Sequence, residues 1–112
     1  MAEPFTRTVL QRFDVPGSAY ETVIALVELA PHAKSGLHTH FGFDAAYLME
    51  GGLTLRERGQ PAKPIGPGES WVVQPAIVHK VESGERATKV LVMFVVEKGK
   101  ALATPWPNPG DK

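Results

Sequence analysis

Glycine and proline are spread along the whole chain, and this spacing is the strongest constraint on its fold. The 112 residues include 11 glycines and 10 prolines, which recur between short apolar segments and are not gathered in one linker. Such punctuation favours many short strands joined by turns. No window shows a convincing 3.6-residue apolar period with caps, so we expect no substantial helix. The sequence predicts an all-β chain of eight to ten antiparallel strands, closed as a sandwich or barrel.

Strand boundaries follow from the apolar segments and the turns between them. We expect strands near residues 6–13, 21–29, 36–40, 45–50, 53–58, 62–65, 70–74, 79–82 and 89–97. A chain of this length forms one domain, residues 1–112, with a barrel core at about 6–100. Residues 101–112 hold three prolines around Trp106, which predicts an extended, polyproline-like tail over the surface.

The charge balance bears on the possible partners. Twelve basic and twelve acidic residues cancel, so we expect neither a nucleic-acid nor a membrane-surface partner. There are no cysteines, which removes disulfides, thiolate metal sites and cysteine nucleophiles. The first residues lack the pattern of a signal peptide, so the chain reads as cytoplasmic, or as periplasmic if a signal has been removed.

Three of the four histidines lie in two predicted strand segments. His38 and His40 are two residues apart, and such residues project from the same face of a strand. Asp44 follows after Gly42, and His79 lies in a later segment. Imidazoles inside a small barrel need a partner, because an unpaired buried polar group costs about 1–3 kcal/mol. A metal ion held by His38, His40 and His79 would satisfy all three.

The spacing of these residues resembles the two motifs of the cupin superfamily. His38, His40 and Gly51 stand at first-motif positions, with Asp44 where the family usually has Glu, and Gly68 and His79 match the second motif. The sequence departs from the pattern at four positions, which are His32, Gln74, Ala76 and Ser83 in place of Gly, Pro, Gly and Asn. The resemblance covers roughly residues 7–105, and the segment 97–105 is similar to the end of small single-domain cupins. It implies an antiparallel jelly-roll barrel and a homodimer.

The identity of the metal is left open by this donor set. Imidazole nitrogen suits Zn²⁺, Fe²⁺, Ni²⁺ and Cu²⁺, and an added carboxylate suits Mn²⁺ as well. Asp44 is one carbon–carbon bond, about 1.5 Å, shorter than the family's Glu. It is therefore either a fourth ligand or a carboxylate that orients His38 or His40 through the other ring nitrogen.

Several residues beside the motifs are candidates for a substrate pocket. Phe41 and Phe43 flank Gly42, and Tyr47 and Gln74 lie on or beside the motif strands. Packing in the core or a solvated face is the alternative for each of them. Trp71 and Phe94 are expected to be core or subunit contacts.

Two functions fit these observations. The first is a small-molecule metalloenzyme of the dioxygenase, isomerase or lyase type, as the resemblance implies. The second is a non-catalytic module that binds a metal or a small molecule as a sensor or carrier. A metal-free fold with vestigial histidines is a third reading. No nucleophile–base pair or phosphate-binding loop stands out in the sequence, so any chemistry depends on the metal.

Overall fold

The computed structural model describes residues 4–107 as a structure of β-strands and turns. Its ten strands are β1 Phe5–Asp14, β2 Tyr20–Leu29, β3 His38–Thr39, β4 Gly42–Glu50, β5 Leu53–Glu57, β6 Lys63–Ile65, β7 Ser70–Val73, β8 His79–Ser83, β9 Thr88–Glu97 and β10 Thr104–Pro105. No helix long and apolar enough to cross a membrane occurs in this part of the chain.

The strands form two five-stranded antiparallel sheets. The first sheet, which we call sheet A, has the order β1-β2-β9-β4-β7, and the second, sheet B, has the order β10-β3-β8-β5-β6. Most neighbours within a sheet come from distant parts of the chain, and strands consecutive in sequence lie in different sheets except for the pairs β1–β2 and β5–β6. This is the arrangement of a jelly roll, and it confirms the predicted fold class.

Side-chain alternation explains how the core forms between the sheets. In β9, Val90, Val92, Phe94 and Val96 are buried, whereas Leu91 and Met93 between them are exposed. The buried side chains of β2 and β4 follow the same period of two and pack against those of β9. The inner face of β4 also carries Asp44. The core is therefore apolar along most of its length and becomes polar beside Asp44.

The end of the chain differs from the predicted polyproline-like tail. Thr104 pairs with Thr39 and Pro105 pairs with His38, so β10 forms one edge of sheet B. Proline is tolerated at a sheet edge, where its missing N–H removes no central hydrogen bond. The barrel thus extends past residue 100, and the rest of the predicted tail, residues 108–112, lies outside the described residues.

Candidate metal site

Three elements bring the four candidate ligands to one end of the barrel. His38 and His79 are directly opposite partners in the β3–β8 ladder, so their side chains share a face. His40 follows β3 at the corner that leads into β4. Asp44 lies on the inner face of β4, with its side chain 11% exposed.

The three imidazole rings are in mutual contact. The ring centroid of His38 lies 4.2 Å from that of His79 and 4.8 Å from that of His40. The centroids of His40 and His79 are 5.0 Å apart. One nitrogen of each ring lies within 4.8 Å of one nitrogen of each of the other two. The fold therefore brings together the three histidines that the sequence singled out.

Hydrogen bonds to the backbone determine which nitrogen of each ring is protonated. The Nδ1 atoms of His38 and His79 lie 2.8 Å and 2.9 Å from the carbonyl oxygens of Gly36 and Ile77. The Nδ1 atom of His40 contacts the carbonyl oxygen of Leu102. A carbonyl can only accept, so Nδ1 is the donor in each ring. In the neutral form, each Nε2 then carries a lone pair.

Asp44 faces the Nε2 atoms. Its Oδ2 atom lies 3.1 Å from His40 Nε2 and 3.3 Å from His79 Nε2. His40 Nε2 is buried and has no hydrogen bond within the described structure. A carboxylate oxygen and unprotonated Nε2 atoms are all acceptors, so their close approach requires a proton or a cation among them.

The distances are compatible with one metal ion. Ligand atoms about 2.0–2.2 Å from an ion lie about 2.8–3.6 Å from adjacent ligand atoms in octahedral or tetrahedral geometry, and at most about 4.4 Å from opposite ones. The separations between Asp44 Oδ2 and the two Nε2 atoms, 3.1 and 3.3 Å, fall within this range. The nitrogens lie within 4.8 Å of one another, so a pair at that separation would have to approach by about 1.2–2.0 Å to become adjacent ligands. The donor set fits a divalent transition-metal ion.

The protonation equilibria of His38 and Asp44 favour ligand-competent forms at neutral pH. Burial is the main reason that the pKa of His38 is lowered to about 4, and the neighbouring His79 and His40 lower it further. Burial raises the pKa of Asp44, but hydrogen bonds and charge attraction from protonated His40 and His79 outweigh that effect and lower the pKa to about 2, and a bound cation would act in the same direction. At pH 7, His38 is neutral and Asp44 is ionised.

Two cavities adjoin the histidines. An inner cavity of about 50 Å³ lies between the sheets, and its walls include His38, His40, Asp44 and His79. Because pockets for whole organic ligands are usually about 300–1,000 Å³, this volume suits an ion with a few small groups better. An outer groove of about 340 Å³ lies beside it, lined by Phe5, Arg7, Ser35, Gly36, Leu37, His38, Ala103, Pro105 and Trp106.

Comparison with known proteins agrees with this fold. A family model described as "Cupin domain" matches residues 25–97, which is more than half of the chain and includes all four candidate ligands. This chain is a cupin. No curated protein sequence matches it.

Solved structures similar to this cupin have low sequence identity and share its fold. DMSP lyase DddQ from Ruegeria pomeroyi is 17% identical with a TM-score of 0.80, over 96% of this chain and 54% of that one. Polyketide cyclase RemF from Streptomyces resistomycificus is 23% identical with a TM-score of 0.70, over 89% and 70%. A cupin superfamily protein from Desulfitobacterium hafniense is 16% identical with a TM-score of 0.70, over 83% and 78%.

The four expected pocket residues lie away from both cavities of the cupin. Phe41, Phe43 and Tyr47 are 42–48% exposed, and Gln74 is exposed in the turn after β7. None of them lines the inner cavity or the outer groove, contrary to expectation. The reason is strand alternation: Asp44 faces inward on β4, so Phe43 and Tyr47 face outward.

The site of the cupin is also surrounded by residues that sequence reasoning did not assign to it. Arg7 lines both cavities, Phe94 packs against the His40 ring with centroids 5.0 Å apart, and Trp106 lines the outer groove. Phe94 was expected in the core or a subunit contact, and it is buried. Its even spacing from Val90 and Val92 places it on the inner face. No comparable pattern in the sequence points to Arg7 or Trp106.

Proposed function

We propose that this cupin binds one divalent transition-metal ion through the Nε2 atoms of His38, His40 and His79, with Asp44 as a fourth ligand. The observation that carries the proposal is the set of three Nδ1–carbonyl hydrogen bonds, which leaves Nε2 as the ligand atom of three rings whose nitrogens lie within 4.8 Å of one another. Manganese, iron, zinc, nickel and copper are all compatible with three imidazoles and one carboxylate.

Two observations support direct ligation by Asp44. Its oxygen lies beside Nε2 atoms. The alternative role, orienting an imidazole through Nδ1, is already filled for all three histidines by the backbone carbonyls. The carboxylate therefore has its most favourable role beside the ion itself, where its negative charge offsets part of the charge of the metal.

The cupin acts, in this proposal, as an enzyme on a small molecule. When bound, the ion supplies Lewis-acid or redox chemistry of the kind used by dioxygenases, isomerases and lyases. The chain holds the three imidazoles in one tautomer, and it opens the ligand cluster to solvent at His38, which also lines the outer groove. Similar solved structures include a lyase and a polyketide cyclase, which supports a small-molecule substrate.

Elemental analysis of ligand variants tests the metal proposal. The variant in which His38→Ala and His40→Ala are combined is expected to lose stoichiometric metal, because two of three nitrogens are removed. The control is His32→Asn, since His32 is exposed in a turn with a φ of 54°, which asparagine tolerates. Circular dichroism verifies folding, and the milder variant His40→Gln gives a second measurement. Retention of metal by the folded double variant would refute the ligand assignment.

A non-catalytic metal-binding role is the second candidate, and the small inner cavity of about 50 Å³ favours it. Water-proton relaxation of the Mn²⁺-loaded protein separates the two functions. An enzyme needs an exchangeable position on the ion, so rapid water exchange is expected for the first proposal. An ion without exchangeable water would favour the binding module.

We also propose a homodimer formed through the outer face of sheet A. Tyr47, Val72, Leu91 and Met93 are 38–53% exposed on adjoining strands β4, β7 and β9. Because these side chains are uncharged, they pack more favourably against the same surface of a second copy of the chain than against a charged partner. Sedimentation should give a dimer for the native protein and a monomer for Leu91→Glu, with Ile77→Glu as an exposed control outside the patch. A native monomer would contradict the proposal.

A further inference from the structure

The outer groove and the inner cavity meet at a shared set of residues. Phe5, Arg7, Ser35 and His38 line both of them. A molecule in the outer groove therefore reaches the histidine cluster past the side chains of Arg7 and His38. We call this shared boundary of the two cavities the passage.

Among residues 4–107, Arg7 is the only arginine, lysine, aspartate or glutamate that lines the outer groove. Phe5, Leu37, Ala103, Pro105 and Trp106 make the remaining walls mostly apolar. His38 contacts the carbonyl oxygen of Gly36 through Nδ1 and is a candidate metal ligand through Nε2. The Ser35 hydroxyl already donates to Gly36 O and accepts from Val81 N.

The guanidinium of Arg7 has no ion-pair partner among residues 4–107. Its carbon lies 6.0 Å from the centroid of the Phe94 ring, which also packs against the His40 ring. Desolvation lowers the pKa of Arg7 and the charge of Asp44 raises it, and the side chain stays cationic at neutral pH. Arg7 is partly exposed at the passage, so its donors are accessible from the groove.

The balance of charge at the site favours an anion. In the part of the chain that the structure describes, Asp44 is the only acidic residue that lines either cavity. With a divalent ion bound, its single negative charge is more than offset by the ion, and the charge of Arg7 is uncompensated. A carboxylate is the group that a guanidinium binds best, through two parallel hydrogen bonds.

We propose that the outer groove binds a small carboxylate with an apolar body, and that Arg7 pairs with the carboxylate. The apolar body lies against Leu37 and Trp106, and the carboxylate lies at the passage to the histidines. The guanidinium of Arg58 lies 5.0 Å from the Trp106 ring centroid, which supports that wall of the groove. The inference rests on the proposed function, because it places the anion beside the bound metal.

Calorimetric titration of the Zn²⁺-loaded protein tests this specificity. The probes are benzoate and benzyl alcohol, which have the same ring and differ in charge. Benzoate is expected to bind about 10- to 100-fold more tightly, as a charge-assisted pair at a partly desolvated site implies. Arg7→Gln should remove this preference and leave the weaker binding of benzyl alcohol unchanged, whereas Arg7→Lys should retain part of it.

Arg12→Gln is the matched control. Arg12 lies on the same strand, pairs with Glu21 and lines neither cavity. It should bind benzoate as the native protein does. Thermal melts establish that each variant is folded, and Arg7→Lys keeps the test valid if Arg7→Gln is not folded.

The outcomes separate this inference from the proposed function. Metal analysis of the same samples shows whether zinc is bound at one ion per chain, and its absence would refute the proposed function. A zinc-loaded protein that binds benzoate and benzyl alcohol equally would refute the carboxylate inference alone. So would an unchanged preference for benzoate in Arg7→Gln.

Discussion

Gly42 lies between the ligand cluster and the core. Its replacement by alanine is expected to lower both the stability and the metal affinity of the protein. Gly42 lies between His40 and Asp44 and pairs with Val96 of β9. A Cβ at this position would overlap the carbonyl oxygen of Val95 and lie 2.7 Å from Val96 Cα and 2.8 Å from Val95 C. Carbon atoms in contact are normally about 3.5–4.0 Å apart, so β4 and β9 would have to separate by about 1 Å.

A displacement of about 1 Å costs the fold little stability, but it is large compared with the error in metal–ligand distance that the site tolerates. Overpacking of this kind costs about 1–3 kcal/mol, which a folded domain can absorb. Metal–ligand distances tolerate only about 0.2 Å, so moving Asp44 and His40 together by about 1 Å disrupts the ligand set. We expect Gly42→Ala to unfold at lower urea concentration and to bind metal at least about 10-fold more weakly.

The assay combines urea unfolding of the metal-free protein with competition against a chromogenic chelator. Gly84→Ala is the control, because a Cβ at Gly84 meets nothing within 4 Å. The control should unfold and bind metal as the native protein does. Native stability and native metal affinity in Gly42→Ala would refute the close approach of β4 to β9.

Two further predictions concern Asp44 and His38. Asp44→Glu should hold or tighten metal affinity if residue 44 ligates directly, and Asp44→Asn should weaken it; unchanged affinity in both variants would contradict direct ligation. Burial lowers the pKa of His38 to about 4 from 6.5. The unfolded chain thus binds a proton that the folded chain does not between these values, and the metal-free protein should lose at most about 3.4 kcal/mol of stability as the pH falls from about 6.5 to about 4. His38→Gln should reduce that dependence in urea unfolding followed over the same pH range, and an equal dependence would contradict it.

The longer strands could be predicted from the sequence because their side chains alternate. Residues 21–29 and 89–97 were expected as strands, and the structure has Tyr20–Leu29 and Thr88–Glu97. The short strands were harder to predict from the sequence. β3 contains only His38 and Thr39, and its ladder partners are β8 and β10, which are distant in sequence. Pairing with such partners leaves no local pattern.

The candidate site likewise has features that the sequence predicted and features that it did not. The histidine spacing predicted that His38, His40 and His79 would converge, and they do. The contact between His40 and the carbonyl of Leu102 spans 62 positions along the chain. Because the partner is a backbone atom, the residue type at position 102 does not predict it. The prediction of pocket residues failed for a different reason. Once Asp44 is taken as inward-facing, alternation places Phe43 and Tyr47 outside, and the sequence contained that information.

The metal content of the native protein, purified without chelators, tests the central claim most directly. Inductively coupled plasma mass spectrometry is expected to find about one divalent transition-metal ion per chain, because the ring nitrogens of three histidines lie within 4.8 Å of one another and one carboxylate adjoins two of them. If the native protein carries no such ion, and takes up none on dialysis against Mn²⁺, Fe²⁺, Zn²⁺, Ni²⁺ or Cu²⁺, the metal site does not exist and only the cupin fold remains.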